Sequence, residues 1–164
     1  MAEGNGVFPP EHLKAEFDGI VARYPKKSAA LIPILMKLQD EYQRIKTEHM
    51  DGLAEYLDTT PAHVLGVVTF YTMFSQKKRG KHHIYLCKTL SCHIRGAEEL
   101  LSLFEEKLGV KAHSGEASED GEFSIDTGEC LGLCEQAPCV LVDGKAYGDI
   151  TPEMVDQIIK ELRG

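Results

Sequence analysis

The chain has 164 residues, with 18 basic and 26 acidic side chains, five cysteines and no tryptophan. Its composition, 43% hydrophobic and 27% charged, is that of a globular protein and argues against a collagen-like, repeat or disordered chain. The net charge of −8 argues against a nucleic-acid-binding protein, since only the run Lys77–Lys81 is densely basic and we interpret it as a solvated loop. Neither an apolar run of about 18 residues nor a secretory signal is visible, so we expect a cytosolic chain.

The first half of the chain, residues 11–76, has apolar residues at helical spacing and predicts a bundle of about four helices. The second helix follows Ser28, and Pro33 either delays its start or bends its first turn. The third is entered through Thr47, whose hydroxyl suits a cap, and the fourth through Thr60-Pro61. The bundle consists of a weaker first helix, Glu11–Tyr24, and three helices whose apolar faces we assign to the core: Leu31, Leu35, Leu38 and Tyr42; Met50, Leu53, Ala54 and Leu57; Val64, Val67, Val68 and Tyr71.

The second half, residues 81–164, mixes strand and helix patterns and predicts an α/β domain. A polar, basic segment with Gly80 separates it from the first half, and residues 1–10 are expected to form a disordered N-terminus. The predicted elements are a strand at His83–Leu86, a helix from Gly96 to Leu108 capped by Gly109, an acidic loop at Glu116–Gly121, a strand at Phe123–Asp126, a hairpin across Val140–Tyr147 and a helix starting at Thr151-Pro152 with Val155, Ile158, Ile159 and Leu162 on one side.

Four of the five cysteines form two pairs, each directly after a predicted strand. Cys87 and Cys92 are separated by four residues, Cys130 and Cys134 by three, and the pairs by 37 residues. One short sheet can bring both loops to the same edge, so we expect four thiols to converge there. In a cytosolic protein, where thiols stay reduced, such a group indicates a metal centre rather than disulfides. Zinc and an iron–sulfur cluster are the two candidates.

The length of the spacers favours an iron–sulfur cluster over zinc. Zinc ribbons typically use two-residue spacers, whereas longer loops suit a larger inorganic core whose sulfides also need backbone N–H donors. Gly128 and Gly132 bracket Cys130 and would let the backbone turn its N–H groups toward sulfur. Leu131 and Leu133 would shield the site from water. A [2Fe–2S] cluster, with each iron held by two of the four cysteines, fits the count.

Three segments around these residues are similar to a known family. They are Gly66-Val-Val-Thr-Phe-Tyr-Thr-Met-Phe74, Cys87-Lys-Thr-Leu-Ser-Cys92-His-Ile-Arg-Gly96 and Glu129-Cys-Leu-Gly-Leu-Cys134-Glu-Gln-Ala-Pro138. They resemble the thioredoxin-like [2Fe–2S] subunit of respiratory complex I, the NADH-quinone oxidoreductase of bacteria, and the likeness runs from Tyr24 through the last helix. The resemblance implies an α/β fold in which a helical bundle precedes a thioredoxin-like [2Fe–2S] ferredoxin domain. It also implies that Cys87, Cys92, Cys130 and Cys134 are the cluster ligands.

The resemblance further implies a role in electron transfer. The chain would dock on a flavoprotein subunit that carries FMN and oxidises NADH, exchange electrons with that flavin, and oxidise no NADH alone. It would lie in the peripheral arm of the complex, in the cytoplasm on the inner face of the cell membrane. Equivalent subunits of NAD-linked formate dehydrogenases and of NAD-reducing or bifurcating hydrogenases share these motifs, so the host complex stays open. A zinc-binding interaction domain is the alternative from another class.

Four further residues in or beside these motifs have predicted roles of their own. Cys139 departs from the aliphatic residue that the family usually has there, and we interpret it as a small buried hydrophobe, with a spare ligand or redox thiol as alternatives. Thioredoxin folds often have a cis proline before a strand, so we expect a cis peptide bond at Pro138. The resemblance implies that the pair Phe70-Tyr71 is a packing or docking position. No dinucleotide- or phosphate-binding string occurs, so hydride chemistry is expected only in a partner.

Overall fold

The helices of the first half and the strands of the second half belong to separate parts of the molecule. The computed structural model describes residues 8–164, and the chain divides into two compact units between Lys77 and Lys78. In its described part, the first unit contains the helices α1 (Glu11–Val21), α2 (Leu31–Tyr42), α3 (Thr47–Tyr56) and α4 (Pro61–Phe70), with a 3₁₀ turn at Lys27–Ala30 before α2.

The predicted starts of α2 and α4 are confirmed. At α4, the Thr60 hydroxyl accepts a hydrogen bond from the backbone N–H of His63 at 3.2 Å, and Pro61 is the first helical residue. α2 begins late, after the 3₁₀ turn, so that Pro33 falls in its first turn. A proline is tolerated there because N–H groups of the first turn have no partner within the helix.

The predictions for α3 and for the end of α1 were wrong in detail. Thr47 is itself the first residue of α3, so it does not act as the cap. Instead, the backbone N–H of Lys46 donates a hydrogen bond to Nδ1 of His49 at 3.3 Å. α1 ends at Val21 rather than at Tyr24.

The helices of the first unit enclose an apolar core that contains most of the predicted faces. Tyr42 and Val67 are only partly buried, and Tyr71 follows α4 and is exposed, so its assignment to the core was wrong. Phe70 is 78% exposed and packs edge-on against Tyr71. The buried residues are Leu13, Phe17, Ile20, Ala30, Leu31, Ile34, Leu35, Leu38, Ile45, Met50, Leu53, Ala54, Leu57, Val64, Val68 and Phe74.

The segment before α1 is described only in part. Of residues 1–10, predicted to be disordered, residues 1–7 lie outside the described residues. The ring of Phe8 packs against the rings of Phe17 and Tyr56, with centroid distances of 6.0 and 6.1 Å. Gly52 leaves room for it, because a β-carbon there would collide with the Phe8 side chain.

The second unit is a four-stranded sheet with helices. Its elements in chain order are β1 (His82–Cys87), α5 (Leu90–Ile94), α6 (Ala97–Leu108), β2 (Phe123–Gly128), a 3₁₀ turn (Cys134–Gln136), β3 (Val140–Val142), β4 (Lys145–Tyr147) and α7 (Pro152–Arg163). The strand order is β2-β1-β3-β4. β1 runs parallel to β2 and antiparallel to β3, and β3 and β4 form the predicted hairpin.

Alternating residues of the strands bury one apolar side in the core of this unit. Ile84 and Leu86 of β1 and Ile125 of β2 are buried, and they belong to the same core as the apolar faces of α6 and α7. Gly109 ends α6 with φ +65°, the left-handed conformation expected of a glycine cap. The Thr151 hydroxyl accepts from the backbone N–H of Met154 at 3.4 Å to cap α7.

Two features of the second unit differ from expectation. α5 was not predicted, because five residues are too few to show a helical repeat. In the basic run Lys77–Lys81, Arg79 is largely buried and lies 3.8 Å from a carboxylate oxygen of Asp126, so this part of the run is not a solvated loop. Within residues 8–164, no helix combines the length and apolar character needed to cross a membrane.

Candidate metal centre

Both cysteine pairs lie at one edge of the sheet. Cys87 is the last residue of β1, and it is in register with Gly128, the last residue of β2. Because the two strands are parallel, the loops that follow them leave the sheet on the same side. Cys130 and Cys134 lie in the loop after β2, with their Sγ atoms 3.4 Å apart.

The side chain of Thr89 lies beside the first pair. Its hydroxyl is 3.1 Å from Sγ of Cys87, and it also lowers the pKa of the Cys130 thiol in the second pair. Cys87 in turn acts electrostatically on Cys130 and Cys134. Both pairs therefore lie at the same end of the sheet, and their joint binding of one metal centre stays a prediction.

The two pairs differ in burial. Cys87 and Cys92 are buried in the core of the second unit, whereas Cys130 and Cys134 are exposed. Within the described residues, the sulfurs of Cys87, Cys92 and Cys139 form a buried group in which all lie within 4.8 Å of one another. The interpretation of Cys139 as a buried residue is confirmed, but its Sγ also lies 3.6 Å from Sγ of Cys92.

Hydrogen bonds directed at sulfur oppose the effect of burial in each loop. Burial alone would raise the pKa of Cys87, but hydrogen bonds from Thr89, from the Cys92 thiol and from the backbone N–H of Leu131 together outweigh it, so the pKa is lowered. The backbone N–H of Gly132, 3.3 Å from Sγ of Cys130, lowers the pKa of that thiol. One cysteine in each loop is thus favoured as a thiolate, the form in which cysteine binds metals.

The remaining thiols are shifted in the opposite direction. Burial raises the pKa of Cys92, although the backbone N–H of Cys139 opposes this. The hydrogen bond with Cys130 raises the pKa of Cys134. Burial, with the nearby thiol of Cys92, raises the pKa of Cys139 to about 12.

The two glycines that bracket Cys130 have different roles. Gly132 has φ +78° and turns its N–H toward sulfur, as predicted. The same prediction for Gly128 was wrong, because Gly128 belongs to β2 and a β-carbon there would collide with the hydroxyl of Tyr85. That hydroxyl accepts a hydrogen bond from the backbone N–H of Glu129 at 3.0 Å. A glycine at the end of a strand indicates that another group packs closely against the backbone, but the sequence does not show which residue supplies that group.

Apolar residues around the site were only partly anticipated. Leu131 and Leu133, expected to shield the site, are half-buried against the core of the second unit. Leu90 and Ile94, which flank Cys92 on α5, are 73% and 72% exposed and were not singled out from the sequence. Their four-residue spacing on one face of a helix is the signal that could have found them.

The loop before β3 is shaped as expected. The peptide bond between Ala137 and Pro138 is cis, which confirms the prediction. Arg95, at the end of α5, donates a hydrogen bond from Nη1 to the carbonyl oxygen of Ala137 at 3.0 Å. This bond connects the end of α5, the helix that carries Cys92, with the loop that carries Cys139.

A thioredoxin-like sheet whose edge carries two cysteine pairs is the arrangement of an iron–sulfur ferredoxin. Residues 17–163 match the family of thioredoxin-like [2Fe-2S] ferredoxins, and the chain belongs to that family. The family and the fold class predicted from the sequence are therefore confirmed.

Characterised relatives cover most of the chain. It is 36% identical to the NADP-reducing hydrogenase subunit HndA of Solidesulfovibrio fructosivorans, over 93% of this chain and 88% of that protein. It is 37% identical to NADH-quinone oxidoreductase subunit 2 of Thermus thermophilus, over 87% and 79%. It is also 37% identical to an NADH-quinone oxidoreductase subunit of Aquifex aeolicus, over 84% and 85%.

One solved structure supports the fold. The crystal structure of an NAD+-reducing [NiFe]-hydrogenase in the H2-reduced state superimposes with a TM-score of 0.66 at 19% identity. The superposition covers 79% of this chain and 22% of the hydrogenase chain. At this identity the similarity is one of fold alone.

Proposed function

We propose that the protein is an electron-transfer subunit that holds a [2Fe–2S] cluster on Cys87, Cys92, Cys130 and Cys134. It exchanges electrons with the FMN of a flavoprotein partner in an NADH-quinone oxidoreductase, where NADH delivers the electrons. The observation that carries this proposal is the convergence of two thiol pairs at one sheet edge in a chain of this family. The cluster belongs to the domain at residues 81–164, which the helical bundle at residues 11–76 precedes.

The donor atoms fit such a cluster. Two sulfurs bound to one tetrahedral metal at about 2.3 Å lie about 3.8 Å apart. The Sγ atoms of Cys130 and Cys134 are 3.4 Å apart, and those of Cys87 and Cys92 lie within 4.8 Å, so each pair suits one iron. When bound, a [2Fe–2S] cluster supplies one-electron redox chemistry.

The chain itself contributes charge stabilisation and position. The backbone N–H of Gly132 and the hydroxyl of Thr89 lie next to ligand sulfurs, where they stabilise thiolate charge. The hydrogen bond from Arg95 to Ala137 holds together the loops around the buried pair. Fixed donors of this kind keep the sulfurs in place between the two redox states.

The exposed side of the site is where a partner reaches it. Cys130 and Cys134 are open to solvent, and the apolar side chains of Leu90 and Ile94 on the helix α5 are exposed as well. In this proposal the flavoprotein covers that surface and excludes water from the cluster. The chain reaches the inner face of the cell membrane only through the complex.

A hydrogenase is the second candidate for the host complex. The relative from Solidesulfovibrio fructosivorans is a subunit of an NADP-reducing hydrogenase, and its identity of 36% is within one percentage point of the 37% found for the Thermus and Aquifex subunits. The electron-transfer role is the same in both, but the acceptor of the electrons differs.

The ligand assignment is tested by Cys130→Ala in the full chain, with Cys139→Ala as the matched control. The unmodified protein is expected to contain two irons and two sulfides and to show an EPR signal after reduction. Cys130→Ala should lose most of this iron, because one iron then keeps a single thiolate, whereas Cys139→Ala should keep it. One zinc per chain with no EPR signal would show instead a zinc-binding interaction domain, and unchanged iron in Cys130→Ala would refute the assignment.

The host is tested by isolating the native complex through this chain. Flavin analysis and identification of the large subunits are expected to show an FMN protein together with either quinone-reducing or hydrogen-oxidising subunits. The isolated chain should oxidise no NADH, since the described residues carry no nucleotide-binding loop of the usual kind. Turnover by the pure chain would contradict the proposal.

A further inference from the structure

The fifth cysteine lies against the buried pair, and the proposed ligand set does not use it. Cys139 is 1% exposed, and its Sγ lies 3.6 Å from Sγ of Cys92. Its carbonyl oxygen accepts a hydrogen bond from the backbone N–H of Cys87 at 3.2 Å, and its own N–H is directed at the sulfur of Cys92. The backbone of Cys139 is therefore held by both buried cysteines, which limits how far its side chain can move away.

The direction of the hydrogen bond between the two sulfurs follows from the chemistry of the ligand. In the metal-free chain, either Cys92 or Cys139 could be the donor. A cysteine that binds iron does so as a thiolate and has no proton to donate. Once Cys92 is a ligand, only Cys139 retains an S–H group, and the only direction left for the bond is from Cys139 to Cys92.

We propose that Cys139 is a potential-tuning residue, whose S–H donates a hydrogen bond to the Cys92 sulfur and raises the reduction potential of the cluster. Hydrogen bonds to ligand sulfurs stabilise the more negatively charged, reduced state and so raise the potential. This inference rests on the proposed function, because it requires Cys92 to be a ligand. An aliphatic side chain at this position would have no proton to donate and could not perform this role.

The test compares Cys139→Ala with Cys139→Ser in the cluster-loaded full chain. Both variants remove sulfur, and only serine keeps a donor of similar size. Potentiometric EPR titration of Cys139→Ala is expected to show an equilibrium constant for reduction that is smaller by about threefold to tenfold. This corresponds to a reduction potential lower by about 30–60 mV for a one-electron couple. Cys139→Ser should stay close to the unmodified protein.

The other outcomes overturn the inference. Equal potentials in all three proteins would show that the bond has no effect, and equal shifts in both variants would show an effect of packing alone. Loss of iron from Cys139→Ala would make Cys139 a ligand rather than a donor. A lack of iron in the unmodified chain would be a failure of the proposed function itself, and iron analysis distinguishes this case.

Infrared spectroscopy of the unmodified loaded protein tests the bond without any variant. With four of the five cysteines ligated, a single S–H stretching band is expected, that of Cys139. One-electron reduction makes the Cys92 sulfur a stronger acceptor, so the band should move to lower frequency. A loaded protein with no S–H band, or with a band that does not move on reduction, would refute the proposal.

Discussion

Cys87 and Cys92 lie inside the core of the second unit, whereas Cys130 and Cys134 lie on a loop at its surface. The sulfurs of the buried pair contact other side chains, Thr89 and Cys139, and those of the exposed pair contact mainly each other and the backbone N–H of Gly132. The two pairs therefore have different surroundings within one site. Neighbouring residues can tune the buried side, and a partner protein can reach the exposed side.

Selective alkylation gives the largest expected difference between the pairs. In the metal-free full chain, iodoacetamide should modify Cys130 and Cys134 on the order of a hundredfold faster than Cys87, Cys92 and Cys139, since the buried thiols react only after local opening. The lowered pKa of Cys130 adds to its rate. Mass spectrometry of the modified peptides measures the ratio, and similar rates at all five positions would contradict the burial difference.

Alanine substitutions at the two glycines that bracket Cys130 distinguish two ways of lowering the free energy of unfolding, steric overlap and backbone strain. Gly128→Ala should lower the free energy of unfolding by about 3 kcal/mol, because the new methyl group overlaps the Tyr85 hydroxyl. Gly132→Ala meets no neighbouring atom and should cost only about 1 kcal/mol, the strain of an L-residue in the left-handed region. Urea unfolding of both variants measures these costs.

A double-mutant cycle shows whether Tyr85 is the cause. Combined with Tyr85→Leu, the cost of Gly128→Ala should fall by more than half, since the overlapping ring is gone. The cost of Gly132→Ala should not change in that background. If Gly128→Ala costs the same with and without Tyr85, the close approach of the two residues does not limit stability.

A pH-dependent effect on stability is expected at His83, a half-buried residue on β1. Burial, with the nearby Arg79 guanidinium, lowers the pKa of His83 to about 3, although Asp143 and Ser124 oppose the shift. Asp126 is also close, with a carboxylate oxygen 3.6 Å from Nε2 of His83. Because the folded state holds this imidazole neutral, its contribution to stability is present above the unfolded pKa of about 6.5.

That contribution should be lost as pH falls from about 6.5 toward about 3. The unfolded state then binds one more proton than the folded state, which costs about 1.4 kcal/mol per pH unit. Replacement by His83→Gln removes the titrating group, so its unfolding free energy should fall less steeply over this range. Urea unfolding at several pH values compares the two slopes, and parallel slopes would show that His83 is protonated in the folded protein.

Local patterns in the sequence were enough to place most elements of the fold and both cysteine pairs. Each pair follows a run of strand-forming residues, and the ends of neighbouring parallel strands meet at one sheet edge whatever the rest of the chain does. The caps of α4 and α7 could be predicted for a similar reason, since a threonine followed by proline acts within a single turn. α5 escaped prediction because it is too short to show a repeat.

What the sequence by itself determined was the family, the α/β architecture and the cysteines that follow the strands. The environment of each cysteine was decided only by the tertiary structure. Cys139 meets the buried pair because β3 lies antiparallel beside β1, with Val140 in register with Leu86, and this pairing joins residues about fifty positions apart in the chain. Gly128 leaves space for Tyr85 through the pairing of β1 with β2. Such contacts depend on strand register, which no local pattern in either strand specifies.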